Sequence, residues 1–174
     1  PMDNTELQQI VDAIVANKKM GGLNSYELMQ SICRKRFPAD ALPIIEPLLH
    51  ITDGATYKSA IDMVGKLKGA SQEASDAVEA AWERSWQHDV PQACTEAFRA
   101  LLRIGNNDDR LLAMINRAMK VDNSGIHTEC AETLMKIRGG ETILANWPDT
   151  IRGKCDCHLH TQRAAKIAKH LESA

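Results

Sequence analysis

Apolar residues in this chain recur with a period close to 34 residues, and that period restricts the fold more than any other feature. Placed in one column, Ala60, Ala97, Cys130 and Ala164 stand 37, 33 and 34 residues apart. Four positions on, the column reads Val64, Leu101, Leu134 and Ala168; seven on, it reads Leu67, Ile104, Ile137 and Leu171. Ser25, Met29 and Ile32 extend the three columns backwards by 35 residues. The clearest unit is Ala41–Lys68. Leu42, Ile45, Leu48 and Leu49 mark one amphipathic helix in it, and Ala60, Ile61, Val64 and Leu67 a second, joined at Thr52-Asp53-Gly54. A repeat of this length predicts helical hairpins, each of which buries its apolar face only against its neighbours. The predicted fold is all-α: one α-solenoid domain over 1–174, with hairpins at approximately 4–37, 39–68, 71–104, 107–137 and 140–172.

Local signals place the helices within those units. Asn4 or Thr5 caps the first helix, with Leu7, Ile10, Val11, Ile14 and Val15 as its stripe. Gly21-Gly22 stops it, and Asn24 or Ser25 caps a helix carrying Leu28, Met29 and Ile32 that ends before Pro38. Pro43 suits a first helical turn, whereas Pro47 lies deeper and predicts a kink. Trp82, Trp86 and Trp147 fall at core spacing on first helices, so they read as packing groups. His50, His88 and His127 stand alone near turns and read as surface or capping groups.

Composition narrows the setting. Aromatics are only 4% of the chain, and small and aliphatic residues fill the periodic positions, which favours close helix packing over a sheet. A formal charge of −2 commits the chain to neither nucleic acid nor a basic partner. Apolar runs are too short for a membrane span, and the polar start after Met2, which reads as the natural first residue behind Pro1, has no secretory pattern. Five cysteines at irregular spacing then point to reduced thiols and a cytoplasmic setting.

The segment ALPIIEPLL…D…AIDMVGKL resembles the HEAT-repeat family: a Pro in the first helix, an Asp in the turn, and Ala-x-x-x-Val or Leu in the second helix. The turn Asp recurs as Asp53, Asp89, Asp122 and Asp156, each ahead of a second helix whose free N–H groups a carboxylate can satisfy. Lys58 is the counterpart of the family's frequent basic residue early in that helix. The resemblance covers essentially the whole chain. It implies a scaffold that binds other macromolecules, with the second helices lining a concave face, and it brings no catalytic residues or cofactor.

Three constellations carry chemistry. The densest is Cys155-Asp156-Cys157-His158-Leu159-His160. Thiolates and imidazoles are zinc ligands, but four of them inside six residues can hardly surround one ion without strain. Asp156 also occupies the recurring turn position, so the segment reads as the fifth hairpin's turn and no native metal is expected. A second feature is a column of cations on the second helices, Lys66, Arg103, Lys136 and His170, with Arg99 and Lys166 four positions earlier in two of the units. Two readings stand: a basic ridge along the groove, diluted by Asp62, Glu96, Glu129 and Glu132, or last-turn cations that complement the helix dipole. Third, Glu73, Asp76, Glu79 and Glu83 descend one face of a helix within residues 69–109, where eight acids meet three arginines. That stripe is either an acidic patch for a basic partner or a solvated face.

No nucleophile motif, phosphate-binding Gly-rich loop or dinucleotide fingerprint occurs in the chain. The expected function is therefore non-enzymatic: an adaptor or inhibitor that binds one partner protein. A bacterial toxin-neutralising immunity protein is one concrete form, its acidic stripe meeting a basic nuclease. The rival expectation is a nucleic-acid binder that sets Lys66, Arg103 and Lys136 on phosphates.

Overall fold

Short polar side chains start several helices by accepting hydrogen bonds from backbone N–H groups that a helix end leaves unpaired. The computed structural model describes residues 2–52, 54–87, 93–147 and 158–173, with the backbone alone for 158–161 and 163. Its first cap is Asp3, one residue ahead of the expected Asn4 or Thr5, and the Asp3 carboxylate accepts from the Glu6 N–H at 2.8 Å. Asn24 caps the second helix as expected. Its side chain accepts from Glu27 N–H at 2.9 Å while Glu27 accepts from Asn24 N–H at 2.8 Å, a reciprocal capping box.

Among the described residues ten α-helices follow in order: α1 (Asn4–Val15), α2 (Ser25–Cys33), α3 (Leu42–Ile45), α4 (Thr56–Gly65), α5 (Gln72–Ser85), α6 (Cys94–Ile104), α7 (Asp108–Ala118), α8 (Ser124–Leu134), α9 (Gly140–Ala145) and α10 (His158–Glu172). The protein is all-α: among the described residues there is no β-strand, only isolated bridges of Met20 with Leu23 and Pro38 with Lys68. Nor is any helix among the described residues long and apolar enough to cross a membrane.

The kink expected at Pro47 is a full break. Short 3-10 segments, Ala39–Ala41 and Glu46–His50, flank the four-residue α3. Pro47 has no N–H to continue the α-helical ladder, and the chain tightens into a 3-10 turn there. Pro43 sits in the first turn of α3, where its missing donor costs nothing.

The chain divides into two compact units, Pro1–Asn106 and Asn107–Ala174. In the first, α4 packs against both α2 and α6, while α1 and α5 both contact the Glu46–His50 segment. Gly65 permits a close approach of α4 to α6. A Cβ there would lie 2.6 Å from the Ala100 Cα, so its absence lets α4 and α6 meet backbone to backbone. In the second unit α7 packs on α8, α8 on α9, and α9 on α10. Here Gly140 abuts the Leu134 carbonyl, a space that admits no Cβ.

Burial follows the sequence columns closely at the first position and loosely at the last. Ala60, Ala97, Cys130 and Ala164 are all fully buried, as are Val64, Leu101 and Leu134, whereas Ser25 of the first column and Ala168 of the second are half-buried. In the third column Leu67 and Ile137 are buried, Ile104 is half-buried and Leu171 is exposed. Val15, expected in the α1 stripe, is also exposed, because the helix ends at it and no later turn covers it. Trp82 and Trp147 are buried packing groups, and Trp86 is half-buried with its ring edge-on to Trp82 at 5.2 Å.

His127 departs most from expectation. It lies in the interior of the second unit, with Nε2 3.1 Å from the Met119 carbonyl oxygen and its ring edge-on to Trp147 at 6.1 Å. A turn-proximal histidine proves to be a core group because α8 begins three residues earlier than it, at Ser124, and carries it inward. Of the four turn aspartates, Asp53, Asp89 and Asp156 lie outside the described residues. Asp122 is exposed and is not the cap of its helix; Asn123 is, accepting from Ile126 N–H at 3.0 Å.

Candidate docking surface on α4 and α6

The close crossing at Gly65 and Ala100 brings the exposed sides of α4 and α6 within reach of one another. Asp62, one turn before the end of α4, forms ion pairs with Lys66, the residue that caps that helix's C-terminus, and with Arg103 on α6. Burial pushes the Asp62 carboxyl upward, but hydrogen bonds from Lys66 and Arg103, and then their charges, outweigh it and hold it below the usual carboxylate range. Asp62 therefore fixes two cations whose helices end at the same edge.

Two recesses flank this trio. One is a cleft of about 350 Å³ whose charged lining alternates in sign, with Lys58, Asp62, Glu96, Arg99 and Arg103. Cys33, Ala55, Ser59 and Thr95 complete it with small side chains from α2, α4 and α6 or their ends. Glu96 also acts inward: burial and then the Glu96 charge raise the pKa of Tyr57, a buried residue in the first turn of α4. Arg103 lines the second recess as well, of about 420 Å³, where its companions are Arg36, Gly65, Lys66, Leu67 and Lys68.

The expected basic column is thus brought together only in part. Lys66, Arg99 and Arg103 gather on the α4–α6 face of the first unit. Lys136 is exposed just past α8, and Lys166 and His170 are exposed on α10, all three in the second unit. Of the acidic stripe on α5, Glu73, Asp76 and Glu83 are exposed and Glu79 is half-buried. The Cys155-Asp156-Cys157 part of the cysteine–histidine cluster lies outside the described residues, and of His158 and His160 only the helical backbone is described.

Sequence reading missed Arg36 and Lys68. The run Arg34-Lys35-Arg36 was visible, but it falls outside the repeat columns, in the segment read only as the end of a helix before Pro38. Lys68 donates its backbone N–H to the Phe37 carbonyl at 2.9 Å, beside the Pro38–Lys68 bridge. That pairing, between residues about 30 apart, sets Arg36 beside the end of α4, and no helical period could reveal it. Compared with known protein families, curated proteins and solved structures, the chain gives no significant match.

Proposed function

We propose that this protein is a non-enzymatic protein-binding module, built of HEAT-like hairpins stacked as a solenoid, which docks one partner protein on the face formed by α4 and α6. The succession of contacts from α2 to α4 to α6, with α1 and α5 both meeting the Glu46–His50 segment, supports the solenoid reading. The observation that carries the docking reading is the mixed-sign cleft. Lys58, Asp62, Glu96, Arg99 and Arg103 interleave charge along a surface broken by small residues. A protein surface can answer such a pattern group by group, and complementary charge of that kind sets partner choice and register. A nucleic-acid backbone would set its phosphates against Asp62 and Glu96, so the cleft favours the protein partner over the rival. A toxin-neutralising immunity protein remains one concrete form of the proposal, with the exposed acids of α5 available to a basic toxin.

Reversing charge in the cleft tests it. A partner recovered by pulldown from the native host should bind wild-type protein and lose at least about tenfold in affinity to Arg99→Glu, since binding energy concentrates in few residues. Equal binding by wild type and variant would remove the cleft from the interface. Specific binding of mixed DNA or RNA oligonucleotides tighter than about 10⁻⁶ M at physiological salt, the tight end of ordinary non-specific affinity, would make the nucleic-acid reading the better one.

A further inference from the structure

We infer that the recess lined by Arg36, Lys66, Lys68 and Arg103 is a binding site for a phosphomonoester group. This inference does not depend on the mixed-sign cleft holding a partner protein. It rests on convergence. The four cations come from three separate stretches of chain: the segment after α2, the end of α4, and the last turn of α6. The Phe37–Lys68 hydrogen bond holds the first two stretches together, and the missing Cβ of Gly65 lets the third close on them. Gly65 and buried Leu67 complete the lining, in which no carboxylate takes part.

General charge does not account for this gathering. Residues 1–106 hold fourteen carboxylates against eleven lysines and arginines, so cations converge here against the balance of their own unit. Helix dipoles do not account for it either. Asp62 neutralises one of the four charges. The C-terminal ends of α4 and α6 contribute about −0.5 each, which leaves a surplus of about +2. Arg36 and Lys68 are exposed and have no carboxylate partner among the described residues.

That surplus selects the ligand. A phosphomonoester carries about −1.5 to −2 charges at pH 7 and presents three acceptor oxygens. A carboxylate supplies a single charge, and each phosphodiester of a nucleic acid also supplies one. Two guanidiniums offer forked donor pairs, and two ammoniums supply compact charge beside them. At about 420 Å³ the recess also has room for part of the group that bears the phosphate. Two sources share this chemistry: a phosphorylated side chain of another protein, or a small phosphorylated metabolite.

The test is a titration of the full chain with inorganic phosphate, followed by amide NMR shifts, with ionic strength held constant by chloride. Saturable shifts centred on Gly65–Lys68 are expected. The double variant Arg36→Ala/Lys68→Ala leaves the Asp62 pairs intact and should weaken phosphate binding at least about tenfold, the scale of losing charge-assisted hydrogen bonds. Lys120→Ala, on the second unit, should leave it unchanged. A phosphoserine peptide and adenosine monophosphate then name the source by which binds tighter, and equal affinity means that the site reads the phosphate group alone. Shifts no larger than chloride produces, or equal affinity in the double variant, would overturn the inference. So would a DNA oligonucleotide lacking terminal phosphates that binds tighter than every phosphomonoester.

Discussion

Helices α6 and α8 stand one period apart in the sequence and bury equivalent residues, yet they turn their chemistry in opposite directions. Ala97 and Leu101 of α6, and Cys130 and Leu134 of α8, are all fully buried. On α6 the remaining positions put Glu96, Arg99 and Arg103 around open recesses. On α8 two polar side chains lie inside: His127 meets the Met119 carbonyl and the Trp147 ring, and buried Thr133 donates to the Glu129 carbonyl at 2.8 Å. The difference teaches that the repeat period specifies a packed face and nothing else. Positions outside the columns are free to differ, and the charged linings of the two recesses belong to them.

The packed face should be equally demanding in both units. Leu101→Ala and Leu134→Ala should each cost about 2–5 kcal/mol, the range for emptying a packed leucine site. Denaturant melts of the two variants check this. A loss under about 0.5 kcal/mol at either position would mean that the columns do not mark equivalent packing, since that is the scale of an ordinary surface substitution.

The α4–α6 crossing offers the next largest effect. Gly65→Ala places a methyl where the Ala100 backbone lies, and overpacking of this kind costs about 1–3 kcal/mol. The variant should also lose anion binding in the Arg36–Arg103 recess, because α6 must move away from α4. A folded Gly65→Ala protein with unchanged stability would show that the close approach is not what gathers those cations.

How much was legible follows from the same distinction. The columns at Ala60 and Val64 located the core from Ala60 to Leu134, because a buried helix face imprints a period that local sequence carries, and they fade at Ser25 and Ala168, which are half-buried. The second helix's cap was narrowed to Asn24 or Ser25 by residue type alone, and the reciprocal bonds with Glu27 decide for Asn24. Arg36 beside Lys68 was not readable, because the Pro38–Lys68 bridge that joins them is a tertiary contact outside any helix. The Asp62–Arg103 pair was missed for a related reason. Column arithmetic set Asp62 among residues that dilute a basic ridge, and only the crossing of α4 and α6 makes it the group that anchors two of the cations. His127 was misread because a short sequence interval to a turn does not say which way a helix carries its side chain.

On the α8 side of the comparison, His127→Phe keeps the ring's bulk while removing the donor that faces Met119. The Nε2 atom must carry the proton to donate to a carbonyl, so the variant leaves that acceptor buried without this bond. A loss of about 1–3 kcal/mol is expected, the desolvation cost of an unsatisfied buried group. A neutral result in thermal or denaturant melts would mean that Trp147 packing, not the hydrogen bond, holds His127 inside.

The smallest effect belongs to the exposed side. Asp62 is partly solvent-accessible, with a side-chain exposure of 31%, so its pairs with Lys66 and Arg103 are screened and should contribute no more than about 1 kcal/mol together. Because its folded-state pKa lies below the unfolded value, the unfolded chain binds this proton more readily than the folded one. The contribution is therefore fully present above the unfolded pKa of about 3.9 and fades as pH falls through the lower folded value. Asp62→Asn should accordingly be less stable than wild type at neutral pH, with the gap shrinking below about pH 4 and narrowing with added salt. Denaturant melts of both proteins across that range supply the measurement. A gap that widens on acidification would reverse the sign of the Asp62 shift. A gap that ignores both pH and salt would mean that Asp62 acts by packing rather than by charge, and the anchor for Lys66 and Arg103 would have to be sought in the α4–α6 backbone contact alone.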